Sequence, residues 1–113
     1  MSVMMFQAKV KAESVAELEA AARTVFSAVE QVQPKGMRYA AAKLSDGVTF
    51  VILLELEEGL ENPLNKIPAY REFLGRLKDW LGEPASQEQL TVVGSYNLFW
   101  SRMKGDRRNV GKV

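Results

Sequence analysis

The alternation of apolar and polar positions is clearest between residues 48 and 56, where the chain reads V-T-F-V-I-L-L-E-L. This run is too short to span a membrane, and its β-branched and aromatic residues predict a strand that the turn at Asp46-Gly47 introduces. Side chains alternate across a strand, so the row beginning at Val48 and the row beginning at Thr49 face opposite ways. Both rows are mostly apolar, and the strand therefore needs cover on both faces.

A strand and a long helix are predicted before this central strand. Residues 3–12 alternate between apolar and polar side chains, which predicts the first strand. Ser14 and Glu17 have the spacing of a capping box, in which each side chain accepts a hydrogen bond from a free backbone amide. The apolar stripe that follows recurs at steps of three and four residues and stops before Gln33-Pro34-Lys35-Gly36. We therefore expect a helix of about five turns.

The remaining elements complete a recognisable order. Residues 37–44 predict a second strand, which the turn Ser45-Asp46-Gly47 joins to the central strand as a hairpin. A second helix should begin at Pro68, where the missing proline amide costs nothing, and end at Gly82-Glu83-Pro84. After a polar loop, the last strand is expected over residues 90–100. The order β-α-β-β-α-β predicts an α+β ferredoxin-like fold, with both helices on one face of a four-stranded antiparallel sheet.

A chain of 113 residues and 12.6 kDa accommodates one domain with a true hydrophobic core. We expect that domain to occupy residues 1–100, and residues 101–113 to form a basic, poorly ordered tail. The tail holds five basic residues and one acidic residue, a charge of +4 within a net charge of +1, so residues 1–100 carry −3. The start of the chain lacks a basic segment followed by an apolar one, which predicts a cytoplasmic protein without a membrane segment.

The sequence contains neither cysteine nor histidine. The absence of cysteine excludes disulfides and thiol catalysis, and the absence of histidine removes the usual general base, zinc ligand and haem ligand. Acidic residues do gather near the end of the central strand, but a solvated turn explains them better than a bound cation. These residues are Glu55, Glu57, Glu58 and Glu61. We therefore predict no metal and no cofactor.

Three partners could cover the face of the sheet that carries no helix: a second copy of the chain, an RNA or a different protein. An RNA-binding sheet of this plan presents aromatic residues on its central strands, and residues 1–100 offer acidic charge and no such row, which argues against nucleic acid. A self-complementary apolar patch needs no second gene product, so a homodimer is favoured. Each aliphatic side chain covered would contribute roughly 1.5–3 kcal/mol. The expected interface residues are Val51, Leu53, Val93 and Phe99.

Several of these features together resemble the dimeric α/β-barrel proteins typified by the antibiotic biosynthesis monooxygenases. They are the element order, the length of the first helix, the Ser45-Asp46-Gly47 hairpin, the strand F-V-I-L-L-E-L and the helix A-Y-R-E-F-L-G-R-L. The resemblance covers about residues 3–100 and implies a dimeric α+β barrel with a cavity for a small aromatic molecule. It also implies that some relatives oxygenate such molecules without metal or flavin, while a related branch degrades haem. Members of the family often carry a histidine where this chain has Asn65 and Lys66, which argues against haem degradation.

Candidate binding residues are polar side chains that the predicted elements place beside apolar ones. In the second strand, either Arg38 or Tyr39 faces inward, depending on which row the helices cover. Each candidate also has a plain structural explanation, such as a solvated strand edge or an aromatic core residue. The candidates are Gln7, Arg38, Tyr39, Tyr70, Trp80 and Asn97. No nucleophile motif, carboxylate pair or phosphate-binding loop is present, so we assign no catalytic residue.

The sequence thus leads to two hypotheses. In the first, a homodimeric protein of this family binds a small aromatic molecule and acts as an oxidoreductase, a cofactor-independent monooxygenase. In the second, it is a non-catalytic module of the same fold that binds a small molecule or serves dimerisation. The size of the cavity discriminates between them, because a solidly packed interior and interface would favour the second.

Overall fold

The computed structural model describes residues 2–98. Its strands and helices are β1 (Ser2–Lys9), α1 (Val15–Val32), β2 (Met37–Lys43), β3 (Thr49–Leu56), α2 (Pro68–Trp80) and β4 (Ser86–Leu90). The strands form one sheet in the order β2-β3-β1-β4, and all three neighbouring pairs are antiparallel. The predicted β-α-β-β-α-β order and ferredoxin-like α+β fold are confirmed. Within the described part of the chain, no helix is long and apolar enough to cross a membrane.

The register of the sheet decides which side chains face the helices. Phe6 of β1 lies opposite Ile52 of β3, and Tyr39 of β2 lies opposite Leu54, so these side chains share one face. Both helices pack on this face, with one buried cluster under the start of α1 and the end of α2 and another near the start of α2. The buried residues of the two clusters are Val10, Leu18, Phe50 and Trp80, and Leu54, Leu64 and Ile67.

The start of α1 differs from the expected capping box. Ser14 has helical backbone angles, ends a short 3-10 turn and makes no side-chain capping bond. Glu17 instead accepts a hydrogen bond from Arg76 of α2 and so links the two helices. The end of α1 follows the prediction, because Gln33 adopts the left-handed conformation at φ 50°. At Gly36, φ is +79° and an added Cβ would lie 2.9 Å from Leu60, so this turn requires glycine.

The last strand lies earlier in the chain than we predicted. β4 is Ser86–Leu90, so all but its last residue falls in the segment expected to be a polar loop, and it pairs with β1 from Val3–Leu90 to Gln7–Ser86. An edge strand needs few apolar side chains because one of its sides faces water, so its polar sequence does not resemble a central strand. The more apolar residues 91–98 form no strand, and Val93 there is 99% exposed. Phe99 and the basic tail lie outside the described residues.

The face of the sheet opposite the helices carries the second row of β1 and β3. Val51 and Leu53 lie there, half-buried, opposite Gln7 and Met5 of β1. Val3 and Glu55 on the same face are buried, so this face is less open than a bare sheet would be. Neither α1 nor α2 covers it, in keeping with the predicted arrangement of both helices on one side.

Asp46 organises the hairpin between β2 and β3. Its Oδ1 accepts hydrogen bonds from the amides of Val48 and Thr49, each at 2.9 Å, and its Oδ2 accepts one from the Thr49 hydroxyl at 2.6 Å. These bonds, led by the one from the hydroxyl, hold the pKa of Asp46 below its ordinary value of 3.8. Because the folded protein lowers this pKa, the stabilisation is present above pH 3.8 and is lost as the pH falls below that value.

We therefore expect Asp46→Asn to destabilise the protein at neutral pH and to reduce the fall in stability below pH 3.8. Thermal unfolding measured across this pH range checks the prediction. Asp79→Asn, on the exposed face of α2, serves as the control for loss of one negative charge. An Asp46→Asn variant that loses as much stability with falling pH as the wild type would contradict the linkage.

Candidate functional site

A cavity of about 590 Å³ lies between the sheet and the two helices. This volume falls within the range of small-molecule sites in proteins. The cavity exists because several wall positions carry alanine where a larger residue would fill the space, among them Ala8 of β1, Ala22 of α1 and Ala41 of β2. The larger side chains of its wall are mainly aromatic and aliphatic. They include Phe6, Phe26, Tyr39, Ile52, Tyr70 and Phe73.

Two tyrosines provide the polar groups inside the cavity. Tyr39 lies on β2 and Tyr70 in the first turn of α2, and both line the cavity. Burial raises the pKa of both phenols, and for Tyr39 the nearby Tyr70 adds to the effect. Neither hydroxyl forms a hydrogen bond within residues 2–98. Both phenols are therefore neutral at physiological pH, and their O–H groups are available to a ligand.

The aromatic rings form two separate pairs around the cavity. The Phe26 and Tyr39 rings are stacked, with centroids 4.8 Å apart and planes at 21°, and they join α1 to β2. The Phe73 and Trp80 rings meet edge to face at 5.6 Å. Trp80 belongs to the buried core and does not line the cavity, and the Arg76 guanidinium lies over its ring at 4.9 Å.

Charged side chains line the cavity where β2 ends. The Nζ atom of Lys43 lies 2.6 Å from Oε2 of Glu19, and Arg23 lies 3.7 Å from the other oxygen of that carboxylate. The bond from Lys43 lowers the pKa of Glu19, and all three side chains are partly exposed. The cavity therefore has a charged edge in contact with solvent and an apolar interior. Glu19 is a weak base because it is already paired.

The structure brings together only part of the predicted binding set. Tyr39 and Tyr70 both line the cavity, which settles that Tyr39, rather than Arg38, lies on the helix side of β2. Arg38 lies on the opposite face, across from Glu55, and Gln7 is exposed on that face as well. Asn97, which we expected within the last strand, lies outside any strand with φ at 64° and does not line the cavity.

Phe26 and the Lys43–Glu19 pair were not predicted from the sequence. Phe26 follows Ala22 at a step of four residues, and this spacing could have identified a second stripe of α1 beside the one that forms the core. No pattern in the sequence pairs Lys43 with Glu19, because they are 24 residues apart. Within residues 2–98, no group of three or more acidic side chains is arranged to hold a metal ion.

Solved structures share this fold, although no family model matches the sequence and no curated protein is detectably similar to it. A Nitrosomonas europaea protein assigned to the antibiotic biosynthesis monooxygenases superimposes with a TM-score of 0.70 at 18% identity, over 83% of this chain and 100% of that one. Rv0793 from Mycobacterium tuberculosis superimposes with a TM-score of 0.68 at 14% identity, over 83% of this chain and 96% of that one. SnoaB, a cofactor-independent oxygenase from Streptomyces nogalater, superimposes with a TM-score of 0.60 at 15% identity, over 83% of this chain and 94% of that one.

At these identities the similarity establishes the fold. The chain has the ferredoxin-like α+β fold of the antibiotic biosynthesis monooxygenase domain proteins, and the resemblance that we drew from the sequence is confirmed at this level. The fold by itself assigns no reaction, since one fold serves many activities. The chemistry must therefore be argued from the cavity.

The two free hydroxyls lead to a prediction about stability. Tyr39→Phe and Tyr70→Phe should leave the free energy of unfolding unchanged or raise it by up to about 1 kcal/mol, because each removes a partly desolvated hydroxyl that has no hydrogen-bond partner among residues 2–98. Thr49→Val is the matched control, since that hydroxyl donates to Asp46 at 2.6 Å and its loss should destabilise the protein. Urea unfolding followed by tryptophan fluorescence measures all three. A loss of more than about 1 kcal/mol in either Phe variant would show that its hydroxyl is already engaged.

Proposed function

We propose that the protein binds a small aromatic molecule in this cavity. The observation that carries the proposal is an apolar cavity of about 590 Å³ in which Tyr39 and Tyr70 hold neutral, unpartnered hydroxyls. A planar apolar molecule would be covered by the aromatic walls, and its carbonyl or phenol oxygen would accept hydrogen bonds from the tyrosines. One protein of the same fold is a cofactor-independent oxygenase, and this similarity supports the reaction proposed next.

We further propose that the bound molecule is oxygenated without metal or flavin. In such a reaction the electron-rich substrate itself reduces O2: one oxygen atom enters the substrate, and the other leaves as water with the protons and electrons that the substrate gives up. The protein contributes orientation and a cavity that limits access of water. Tyr39 and Tyr70 would orient the substrate and stabilise charge that develops on its oxygen. They would not act as bases, because burial keeps both phenols protonated. The substrate would therefore lose its proton to solvent at the charged edge.

One observation favours the alternative, a non-catalytic module that only binds. Among the described residues that line the cavity, Glu19 is the only carboxylate, and it is already paired with Lys43. A general base with a pKa near neutrality is therefore missing from the described wall. A protein that only carries or senses an aromatic molecule needs no base.

We also propose that the protein is a homodimer formed through the helix-free face of the sheet. Val51 and Leu53 lie at the centre of that face, half-buried in the single chain. Covering each such side chain contributes roughly 1.5–3 kcal/mol, so a few from each copy offset the entropic cost of association. Val93 is fully exposed beyond β4 and is available for the same contact. The place of Phe99 in the interface and the cytoplasmic location of the protein stay predictions.

Leu53→Glu should weaken the dimer, because it places a charge at the centre of the proposed interface. Light scattering coupled to size-exclusion chromatography at micromolar concentration measures the change from dimer to monomer. Val32→Glu is the control, as Val32 is 59% exposed at the end of α1, away from this face. A wild-type protein that is monomeric at this concentration would contradict the proposed dimer.

Ligand binding and turnover are tested on the same protein. With a panel of polyphenols, Tyr39→Phe and Tyr70→Phe should each weaken binding by about 2- to 12-fold, the effect of one lost hydrogen bond. Tyr96→Phe is the matched control, because Tyr96 is exposed and does not line the cavity. Calorimetry measures binding, and an oxygen electrode measures turnover.

The two assays separate the hypotheses. Oxygen uptake that falls in the Tyr39→Phe or Tyr70→Phe variant supports the monooxygenase. Binding without oxygen uptake supports the non-catalytic module. If no aromatic compound binds, or if the Tyr96→Phe control weakens binding as much as the other two variants, the cavity is not the site.

A further inference from the structure

A second hollow lies directly beside the cavity. This cleft has a volume of about 530 Å³ and lies between the end of α1 and the start of β2. Its apolar wall residues are Val29, Pro34 and Met37, and its polar ones are Glu30 and Gln33. Polar and apolar groups contribute about equally to the wall of this cleft, which is open to solvent.

Tyr39 belongs to both hollows, and the residues around it locate the boundary between them. Along α1, the cavity is lined as far as Phe26, and the cleft begins one turn later at Val29. Along β2, Met37 lines the cleft and Ala41 lines the cavity. Phe26 and Tyr39 stand at this boundary, and their stacked rings span the distance between helix and sheet.

We propose that the stacked Phe26 and Tyr39 rings form an end wall that sets the maximum length of ligand, and so restricts the protein to compact aromatic molecules without a long tail. The inference rests on the proposed binding of an aromatic molecule in the cavity. Two stacked rings with centroids 4.8 Å apart leave no space for an alkyl chain between them, although an open cleft lies immediately behind. Replacing one ring with a small side chain would join the two hollows.

The wall gives Tyr39 two separable roles. Its hydroxyl, free within residues 2–98, donates to the ligand in the proposed function, whereas its ring acts here as a barrier. Tyr39→Phe removes the first role and keeps the second. Phe26→Ala removes the barrier and leaves the hydroxyl in place. The two changes should therefore affect affinity and length selectivity independently.

The test is a series of 4-alkylphenols whose tails increase from about two to about twelve carbons, with binding to the full chain measured by calorimetry. For the wild type, each added methylene should strengthen binding roughly fourfold until the tail reaches the wall, after which affinity stops rising or falls. We call the tail length at which affinity stops rising the break. In the Phe26→Ala variant the break should move to longer tails. In Tyr39→Phe every phenol should bind more weakly, with the break unchanged.

The matched control compares Phe26→Leu with Phe73→Leu. Both changes are milder than Phe26→Ala, so the test can still be made if the Phe26→Ala variant does not fold. Both phenylalanines lie on helices and line the same cavity, but only Phe26 stacks on Tyr39. The break should move in Phe26→Leu and stay in place in Phe73→Leu.

The outcomes distinguish this inference from the proposed function. If the wild type binds short alkylphenols and the break stays in place in both Phe26 variants, or moves equally in Phe73→Leu, the wall is overturned while the binding site stands. If the wild type binds no member of the series, the proposed function is overturned, and the wall with it.

Discussion

The structure depends on the pairing of β3 with a neighbour on each side along its length. β1 and β2 hold it in an antiparallel register that runs from Lys9–Thr49 to Ser2–Leu56 on one side and from Lys43–Phe50 to Met37–Leu56 on the other. A shift of one residue in either pairing would exchange the two faces of the strand and move Phe50 and Leu54 out of the core. The buried clusters, the cavity and the helix-free face all follow from this register.

Within that frame, the cavity is a consequence of where the chain places small side chains. Alanines on β1, α1 and β2 line the space between sheet and helices, where larger residues would complete the core. Open space in a protein interior forfeits contacts, and a hydroxyl desolvated without a partner adds a further cost. Tyr39 and Tyr70 carry hydroxyls in the cavity that are partly desolvated and have no partner among residues 2–98. Stability given up at one location in this way is typical of a binding site.

The two faces of the sheet carry different sets of side chains, so one small domain could both bind a ligand and associate with a second copy, as proposed. The helix-facing row supplies aromatic wall residues of the cavity, and the opposite row carries the apolar residues of the proposed interface. Because the two rows alternate along the same strands, a change at the proposed interface, such as at Leu53, lies next to cavity residues such as Ile52. The proposed ligand site and the proposed interface are therefore adjacent without sharing side chains.

The order of elements, the two helices and the central strand could be predicted from sequence, because periodicity in apolar residues reports local burial directly. Tyr39 and Tyr70 could be named as candidate binding residues for the same reason, because they are polar aromatic residues within otherwise apolar elements. The last strand was not, because β4 is an edge strand with a polar sequence, and its pairing with β1 comes from the backbone rather than from its side chains. The apolar residues beyond it were mistaken for that strand.

The local pattern of apolar residues in the chain thus determined the number of elements and the apolar face of each one. Only the tertiary structure decided that Tyr39 rather than Arg38 faces inward, that Phe26 stacks on it, and that Lys43 meets Glu19. These facts depend on strand register and on the distance between helix and sheet, which join residues far apart in sequence. No pattern confined to a single element contains that information.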